Sequence, residues 1–383
     1  MPANQIEEDD RQRIQQLRKL ILPYLTDYYN TDFNLLRWLQ GHPGPVERVA
    51  EKLKVHLKAR SSLWEMDKRG TVRKDDDIEK HWPYKITGLS GKLNNVLVMI
   101  EQTGQIDFPG MLNTYSATDI IMARIHDFEN MLHSIMELEE RTGEQASLLF
   151  VMDLTGLKYD LQLFRMILGP MKCLSEFMSE HYVEIIKYFL IVNVPTYMNI
   201  IWNFTKPLLP IRTRDKVRIL SSTNWREEIL EFANADALPD KWNTPNGPKF
   251  TSFIKLPIAF RKDGYYNQTE LPENLDIIYV RAGESNFVTR YAESGDRISW
   301  LLIADAQFAF AIFRSDEEND SDPRTMETIY PSFGWLPGPT IVPIKDIYTI
   351  QKSGYYKLQL INDRAWFHSL KVFYSFNVFA HSS

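Results

Sequence analysis

The chain has 383 residues, 44% of them apolar and 25% charged, and a formal net charge of −6. That length exceeds one ordinary core and predicts two or three compact units, while the composition is globular rather than disordered. The acidic balance excludes a generally basic nucleic-acid footprint, so no nucleic-acid partner is expected and attraction to a membrane must be local. The single cysteine, Cys173, forbids an internal disulfide. Together with an acidic stretch, Met1 to Asp10, that lacks the layout of a signal peptide, it predicts a reducing, cytoplasmic setting.

The first 75 residues predict a helical subdomain. Ile14, Leu17, Ile21 and Leu22 recur at helical spacing up to Pro23, and Thr31-Asp32 can cap a second helix carrying Phe33, Leu35, Leu36, Trp38 and Leu39. The turn Gly41-His42-Pro43-Gly44-Pro45 precedes a third helix with Val46, Val49, Leu53 and Leu57 on its apolar side.

Residues 76–250 alternate between strand and helix. Val96 to Ile100 predicts a buried strand, and Ser116 to Arg141 a long amphipathic helix ended by Gly143. Leu148 to Met152 predicts a second strand ending at Asp153, where that carboxylate caps the next segment. Leu161 to His181 predicts a helix kinked at Gly169-Pro170, and strands follow at 185–192 and 217–220. Such alternation implies an α/β layer with at least some parallel pairing. Beyond residue 250 helical spacing fades, and short strands at 276–281, 297–303, 308–313, 355–361 and 371–379 predict an antiparallel sandwich, with an acidic loop over 315–320.

Enzyme signatures are weak. Gly88-Leu89-Ser90-Gly91-Lys92-Leu93 superficially resembles a phosphate loop, but its glycines are too close and Leu93 stands where a hydroxyl would meet magnesium. His126, Glu129 and His133 share a helix face; a half-exposed polar face is favoured over a metal site, since no further ligand cluster supports one. No nucleophile–base set appears. The expectation is a non-enzyme without catalytic residues, resident metal or cofactor.

The segment 185–220 departs furthest from an ordinary core. An uncharged run between Lys187 and Lys206 approaches the length of a membrane span, but Asn193, Asn199, Asn203 and Pro195 interrupt it. It predicts a buried strand and then an apolar helix opened by Pro195, with Tyr197, Ile200, Ile201, Trp202 and Phe204 spread around its circumference, then Leu208 and Leu209. The cations Lys206, Arg212, Arg214, Lys216 and Arg218 follow, opposed only by Asp215. Such a helix is either a central core element or a gate that covers a cavity and touches lipid.

Here the residues resemble a family. Val192-Asn193-Val194-Pro195-Thr196-Tyr197, Trp202, Lys206-Pro207-Leu208-Leu209 and Thr213-Arg214-Asp215-Lys216-Val217 resemble the gate region of CRAL-TRIO lipid-transfer domains. Phe150-Val151-Met152-Asp153-Leu154-Thr155-Gly156-Leu157 is similar to their central strand and turn, and Leu35-Leu36-Arg37-Trp38-Leu39 to the start of their N-terminal helices. Residues from Val288 through Trp300 and from Gly354 to Val378 resemble a GOLD domain, so the order matches the CRAL-TRIO–GOLD group.

The resemblance implies a multidomain protein, α/β plus all-β: a helical N-terminal subdomain (1–75), a CRAL-TRIO lipid-binding domain with a mixed sheet and gate helix (76–250), and a GOLD-like antiparallel β-sandwich (251–383). It implies a lipid or isoprenoid-type ligand (phospholipid, tocopherol or isoprenoid class) under a gate at about 195–209, carried or presented between membranes. Tyr197, Ile200, Ile201, Trp202, Phe204, Leu208 and Leu209 would form the gate or meet the ligand. Lys206, Arg212, Thr213, Arg214 and Lys216 would meet a headgroup or a membrane during transient peripheral contact. Thr213 and Lys216 match the Thr-x-x-Lys spacing with which some relatives hold phosphoinositides; where those relatives add basic residues, this chain has Gln40-Gly41-His42-Pro43. The GOLD-like domain would contact a protein partner, and the alternative function is a membrane-traffic adaptor that senses lipid without exchanging it.

Overall fold

The computed structural model describes residues 6–69, 77–267 and 274–380. Residues 1–5 of the acidic start and the junction foreseen at 75–76 lie outside these.

The chain opens with helices α1 (Glu8–Ile21), α2 (Asp32–Gly41), α3 (Val46–Arg60) and the short α4 (Met66–Arg69). The Thr31 hydroxyl accepts the Asn34 amide and caps α2, as its sequence foretold. Strands β1 (Tyr84–Leu89) and β2 (Val96–Glu101), the short α5 (Phe108–Thr114) and the long α6 (Ala117–Thr142) follow. Ser116 and Asp119 form a reciprocal capping box at the start of α6, and Gly143 takes the left-handed conformation that ends it.

Next come β3 (Ser147–Asp153), α7 (Leu161–Met166), α8 (Lys172–His181), β4 (Ile186–Val192), α9 (Met198–Thr205), α10 (Ile211–Asp215), β5 (Val217–Ile219) and α11 (Trp225–Glu228). Between α7 and α8 the predicted kink is present: Gly169 leaves helical dihedrals beside Pro170. One expectation shifts. The helix expected to open at Pro195 begins at Met198, because Asn193 adopts a positive φ of 52° and 194–197 form a turn in which the Met198 amide donates to the Pro195 carbonyl.

These strands form a mixed sheet in the order β1-β2-β3-β4-β5, antiparallel between β1 and β2 and parallel thereafter. Successive residues point to opposite faces. Val98, Ile100, Leu149, Val151, Leu190 and Val192 meet a solid layer of Trp225, Ile229, Leu238, Trp242, Phe250 and Ile254. Glu101, Phe150, Met152, Phe189 and Ile191 point the other way, where α6–α10 arch over the sheet.

The C-terminal region is a sandwich of two antiparallel sheets. Its strands are β6 (Asp276–Val280), β7 (Ser285–Ala292), β8 (Arg297–Ala304), β9 (Ala309–Ser315), β10 (Glu327–Tyr330), β11 (Ile344–Thr349), β12 (Gly354–Ile361) and β13 (Leu370–Phe379). The sheet orders are β10-β9-β12-β7 and β11-β8-β13-β6. Trp300, Phe310, Leu358, Leu360 and Phe376 belong to the buried core of this region.

The sandwich packs on the helices. The Leu63 amide donates to the Ile329 carbonyl at 3.1 Å, the Trp64 ring stacks on Phe333 at 4.5 Å, and the Cys173 thiol reaches the Phe333 carbonyl at 3.4 Å. Buried ion pairs fasten the N-terminal helices to α6: Arg60 grips Glu129 through two hydrogen bonds of 2.9 and 2.8 Å, and Arg37 grips Glu139.

The half-exposed polar face foreseen for His126, Glu129 and His133 is therefore corrected. Glu129 and His126 are buried, and Glu129 also accepts the Tyr182 hydroxyl at 2.7 Å. A bidentate arginine supplies the partner that lets a carboxylate lie so deep. His133 instead stacks on Tyr28 and pairs with Glu137.

Candidate functional site

The face of the sheet opposite the solid layer borders a cavity of about 710 Å³. Its floor is Phe150, Met152, Phe189 and Ile191. One wall is Leu163, Met166 and Met171 of the kinked α7–α8 region, continued by Leu174 and Met178, and the other is Met198, Ile201 and Trp202 of α9. Gly169 departs from helical dihedrals where α7 gives way to α8, and both pieces line the same chamber. A mainly apolar void of this size suits a hydrophobic molecule better than water.

Helix α9 has two working faces. Met198 and Ile201 are buried, Trp202 is half-buried, and all three line the cavity, whereas Ile200 (55% exposed) and Phe204 face solvent. Aromatic contacts join α9 to the α7 side: Phe204 meets Phe164 edge-on at 5.0 Å, Tyr197 meets Tyr159 at 5.2 Å, and the Tyr197 hydroxyl donates to the Leu157 carbonyl. Leu161, Ile200 and Ile211 are exposed apolar residues on α7, α9 and α10.

Of the expected gate residues, Ile201, Trp202, Leu208 and Leu209 line the cavity, while Tyr197, Ile200 and Phe204 stand outside that lining. Among the expected headgroup or membrane residues, Arg212, Thr213 and Lys216 line it, and Lys206 and Arg214 do not.

At the mouth the structure adds residues that sequence reading missed. Gln40-Gly41-His42-Pro43 carry no full cation, but Arg48 and Lys52 of α3 line the same opening as Arg212 and Lys216. Arg48, Lys52 and Arg212 are exposed, and Glu184 is the carboxylate that pairs with Lys216, at 2.9 Å. The signal was the one-turn spacing of Arg48 and Lys52 on α3, which gains meaning only once α10 is known to lie opposite. Gly41 lets the end of α2 lie against Val183, since a Cβ there would stand 1.7 Å from Val183 Cγ1. Burial, then the charges of Lys52 and Arg212, push His42 down to about 4, so it is neutral at pH 7.

The inner end is different. Trp82, Glu101, Thr103 and Arg124 line the cavity and are all buried. The Arg124 guanidinium donates to Glu101 at 2.7 Å and to Asp127 at 2.9 Å, and lies 4.6 Å from the Trp82 ring centre. Glu101 pairs level with Met152, and Met152 with Ile191 near the C-terminal end of β4, whereas Glu184 precedes the N-terminal end of that strand. The cavity thus has a basic mouth and a buried charged inner end.

Comparison with known proteins matches two families to two stretches of the chain. The CRAL/TRIO domain profile matches residues 94–243, which span the sheet from β2 onward, the kinked helix and α9. The chain carries a CRAL/TRIO domain. Residues 264–383 match a second family, described as "F28H7_8_C:-like, C-terminal domain". The CRAL-TRIO domain-containing protein F28H7.8 of Caenorhabditis elegans is 28% identical over 374 residues, covering 94% of this chain and 88% of the relative. Protein ctg-1 of the same organism is 24% identical over 382 residues, covering 96% of each. The crystal structure of Sfh5 aligns with 64% of this chain and 94% of its own, at 14% identity and a TM-score of 0.48.

The match supports a lipid-binding domain over residues 94–243. Among the described residues no helix is long and apolar enough to cross a membrane, and no group of His, Cys, Asp and Glu could hold a metal ion.

Proposed function

We propose that the protein holds one hydrophobic lipid-like molecule in the cavity beneath α9 and carries or presents it between membranes. The observation that carries this reading is the two-faced α9: Ile201 and Trp202 toward the void, Ile200 and Phe204 toward solvent. Moving a lipid chain from a bilayer into water costs about 0.8 kcal/mol per methylene, so a carrier must offer comparable apolar burial. It must also open, since a sealed chamber exchanges slowly. Segment 195–209 does both: closed, it covers the ligand, and at a bilayer it swings outward while Ile200, Phe204 and Ile211 enter the interface. Arg48, Lys52, Lys206, Arg212, Arg214 and Lys216 then attract anionic headgroups, with Thr213 beside them. The carrier has no catalytic role and needs no cofactor beyond its cargo.

A second reading, a lipid-sensing adaptor in membrane traffic, is favoured by the sandwich. Its β12–β13 turn exposes Trp366 (87%) and Phe367 (96%), while Arg364 of the same turn approaches Glu176 of α8 at 3.4 Å. Such a tip suits a protein or membrane contact by the GOLD-like domain. Transfer of a fluorescent phospholipid and a fluorescent isoprenoid between vesicles decides between them. Wild-type protein accelerates transfer of at least one cargo, and Ile201→Asp abolishes that acceleration while retaining the fold. Acceleration that survives Ile201→Asp overturns the gate. A bound lipid that co-purifies but never exchanges makes the protein an adaptor.

A further inference from the structure

Two elements that border the chamber, α3 and the end of α8, are joined by a pair of histidines. Val49 and Lys52 of α3 line the cavity, and so do Ser179, Tyr182 and Val183 around the end of α8. His56 stands one helical turn beyond Lys52, and His181 is the last residue of α8. Their Nδ1 atoms meet at 2.9 Å, with ring centres 5.1 Å apart. The contact lies beside the mouth, since Val183 two residues on rests against Gly41 and Glu184 pairs with Lys216.

A hydrogen bond between two Nδ1 atoms needs one to carry a proton and the other to lack it. Two imidazolium rings would set donor against donor, so this contact exists only while at least one ring is neutral. The surroundings oppose even the first added proton. His56 is buried against the Tyr29 ring at 5.3 Å and the Trp38 ring at 5.1 Å, and His181 stacks on Phe177 at 4.2 Å. Arg60, one turn after His56, is a permanent cation whose charge acts on both rings. The nearby carboxylates are engaged elsewhere: Glu129 of α6 and Asp67 of α4 by Arg60, and Glu129 also by the Tyr182 hydroxyl. Across the Trp38 indole lies His42 of the mouth, at 5.2 Å. Burial first, then neighbouring positive charge, keeps both imidazoles neutral at pH 7.

We infer that the His56–His181 contact is a proton-operated latch on the cavity: mild acid protonates both imidazoles, parts the end of α8 from α3, and speeds release of the cargo. The inference rests on the lipid-cavity reading above and adds its regulation. Once parted and hydrated, each ring titrates near its ordinary value, so at pH 5 protonation favours the parted state about 30-fold per histidine. Tyr182 and Val183 follow His181 away from α3, and the chamber opens between the two elements rather than under α9 alone.

The test loads full-length protein with Nile red, an uncharged apolar dye, and mixes it with excess phosphatidylcholine vesicles, which stay neutral overall from pH 7.5 to 5.0. Loss of energy transfer from the protein's tryptophans to the dye gives the release rate. Wild-type release is at least about tenfold faster at pH 5.0 than at pH 7.5, with near-ultraviolet circular dichroism retained and the dye rebound on return to pH 7.5. The double variant His56→Asn, His181→Asn, whose amides can form the same contact without titrating, releases at rates within about twofold at the two pH values. Equal wild-type rates overturn the latch and leave the carrier intact, whereas failure to bind the dye at pH 7.5 overturns both. Release that accompanies loss of the near-ultraviolet signal is unfolding, and overturns the latch. So does an acid response that survives in the double variant, and its disappearance in His42→Asn would move the response to the mouth histidine.

Discussion

The two faces of the central sheet are made from neighbouring residues of the same strands, yet one is packed solid and the other borders a void. Along β4, Leu190 faces the layer of Trp225 and Trp242, while Phe189 faces the cavity. On the solid side Trp242 stands edge-on to Trp225 at 5.0 Å, and its indole donates to Asp153 at 2.8 Å. On the cavity side Phe189 has one aromatic neighbour, Phe150, and then open space. Hydrophobicity alone does not fill an interior; what decides is whether an element with large side chains is laid across the strands. The 225–254 segment brings Trp225, Trp242 and Phe250 to one face, whereas over the other lies a helix broken at Gly169.

The sharpest way to break this contrast is to carve both faces and compare losses. Trp242→Ala should lower unfolding free energy by about 3–5 kcal/mol, as for other large core truncations, and it also strips a donor from Asp153. Phe189→Ala should cost less than half as much, because part of its surface already lacks neighbours. Urea unfolding of both variants checks this, and equal losses would mean that the chamber is no real void in solution.

Acid should act on one side only. His56 and His181 meet through their Nδ1 atoms at 2.9 Å, joining α3 to the cavity-wall helix α8. Burial, then the Arg60 charge, pushes His181 down to about 3, and burial, then the charges of His181 and Arg60, lowers His56. Both folded values lie below the ordinary 6.5, so the unfolded chain binds more protons between them. Stability is therefore full above about 6.5 and falls with acidification, by about 1.4 kcal/mol per pH unit for each histidine. Hydrogen exchange at pH 5 against pH 7 should show α8 loosening before 225–242, and His181→Gln should flatten the slope. The smallest stability change is expected at the gate's outer face. Ile200→Ser should shift unfolding by no more than about 0.5 kcal/mol, yet weaken vesicle co-sedimentation about tenfold.

Much of the architecture was legible because local rules and tertiary structure agree. Ser116 and Gly143 bracket α6 through a capping box and a left-handed stop, and Gly169-Pro170 breaks the helix where expected. The strands that escaped are those with little to bury. β1 is a half-exposed edge, β10 has four residues, β11 buries only Ile344, and β7 carries polar residues at most outward positions. The cavity was legible only through α9. Trp82, Glu101 and Arg124 come from three separated stretches of chain, so no period or spacing links them before the fold does. Arg48 and Lys52 were likewise silent until α10 appeared across the mouth.

Cys173 sits where the sandwich meets the cavity wall, with its sulfur against the Phe333 carbonyl. Burial, then the nearby Glu176 charge, pushes its thiol up to about 12, so at neutral pH the nucleophilic thiolate is almost absent. The lone thiol is a built-in tamper seal: alkylation marks only those molecules whose two halves have come apart, and its rate gives the frequency of that event without any introduced label.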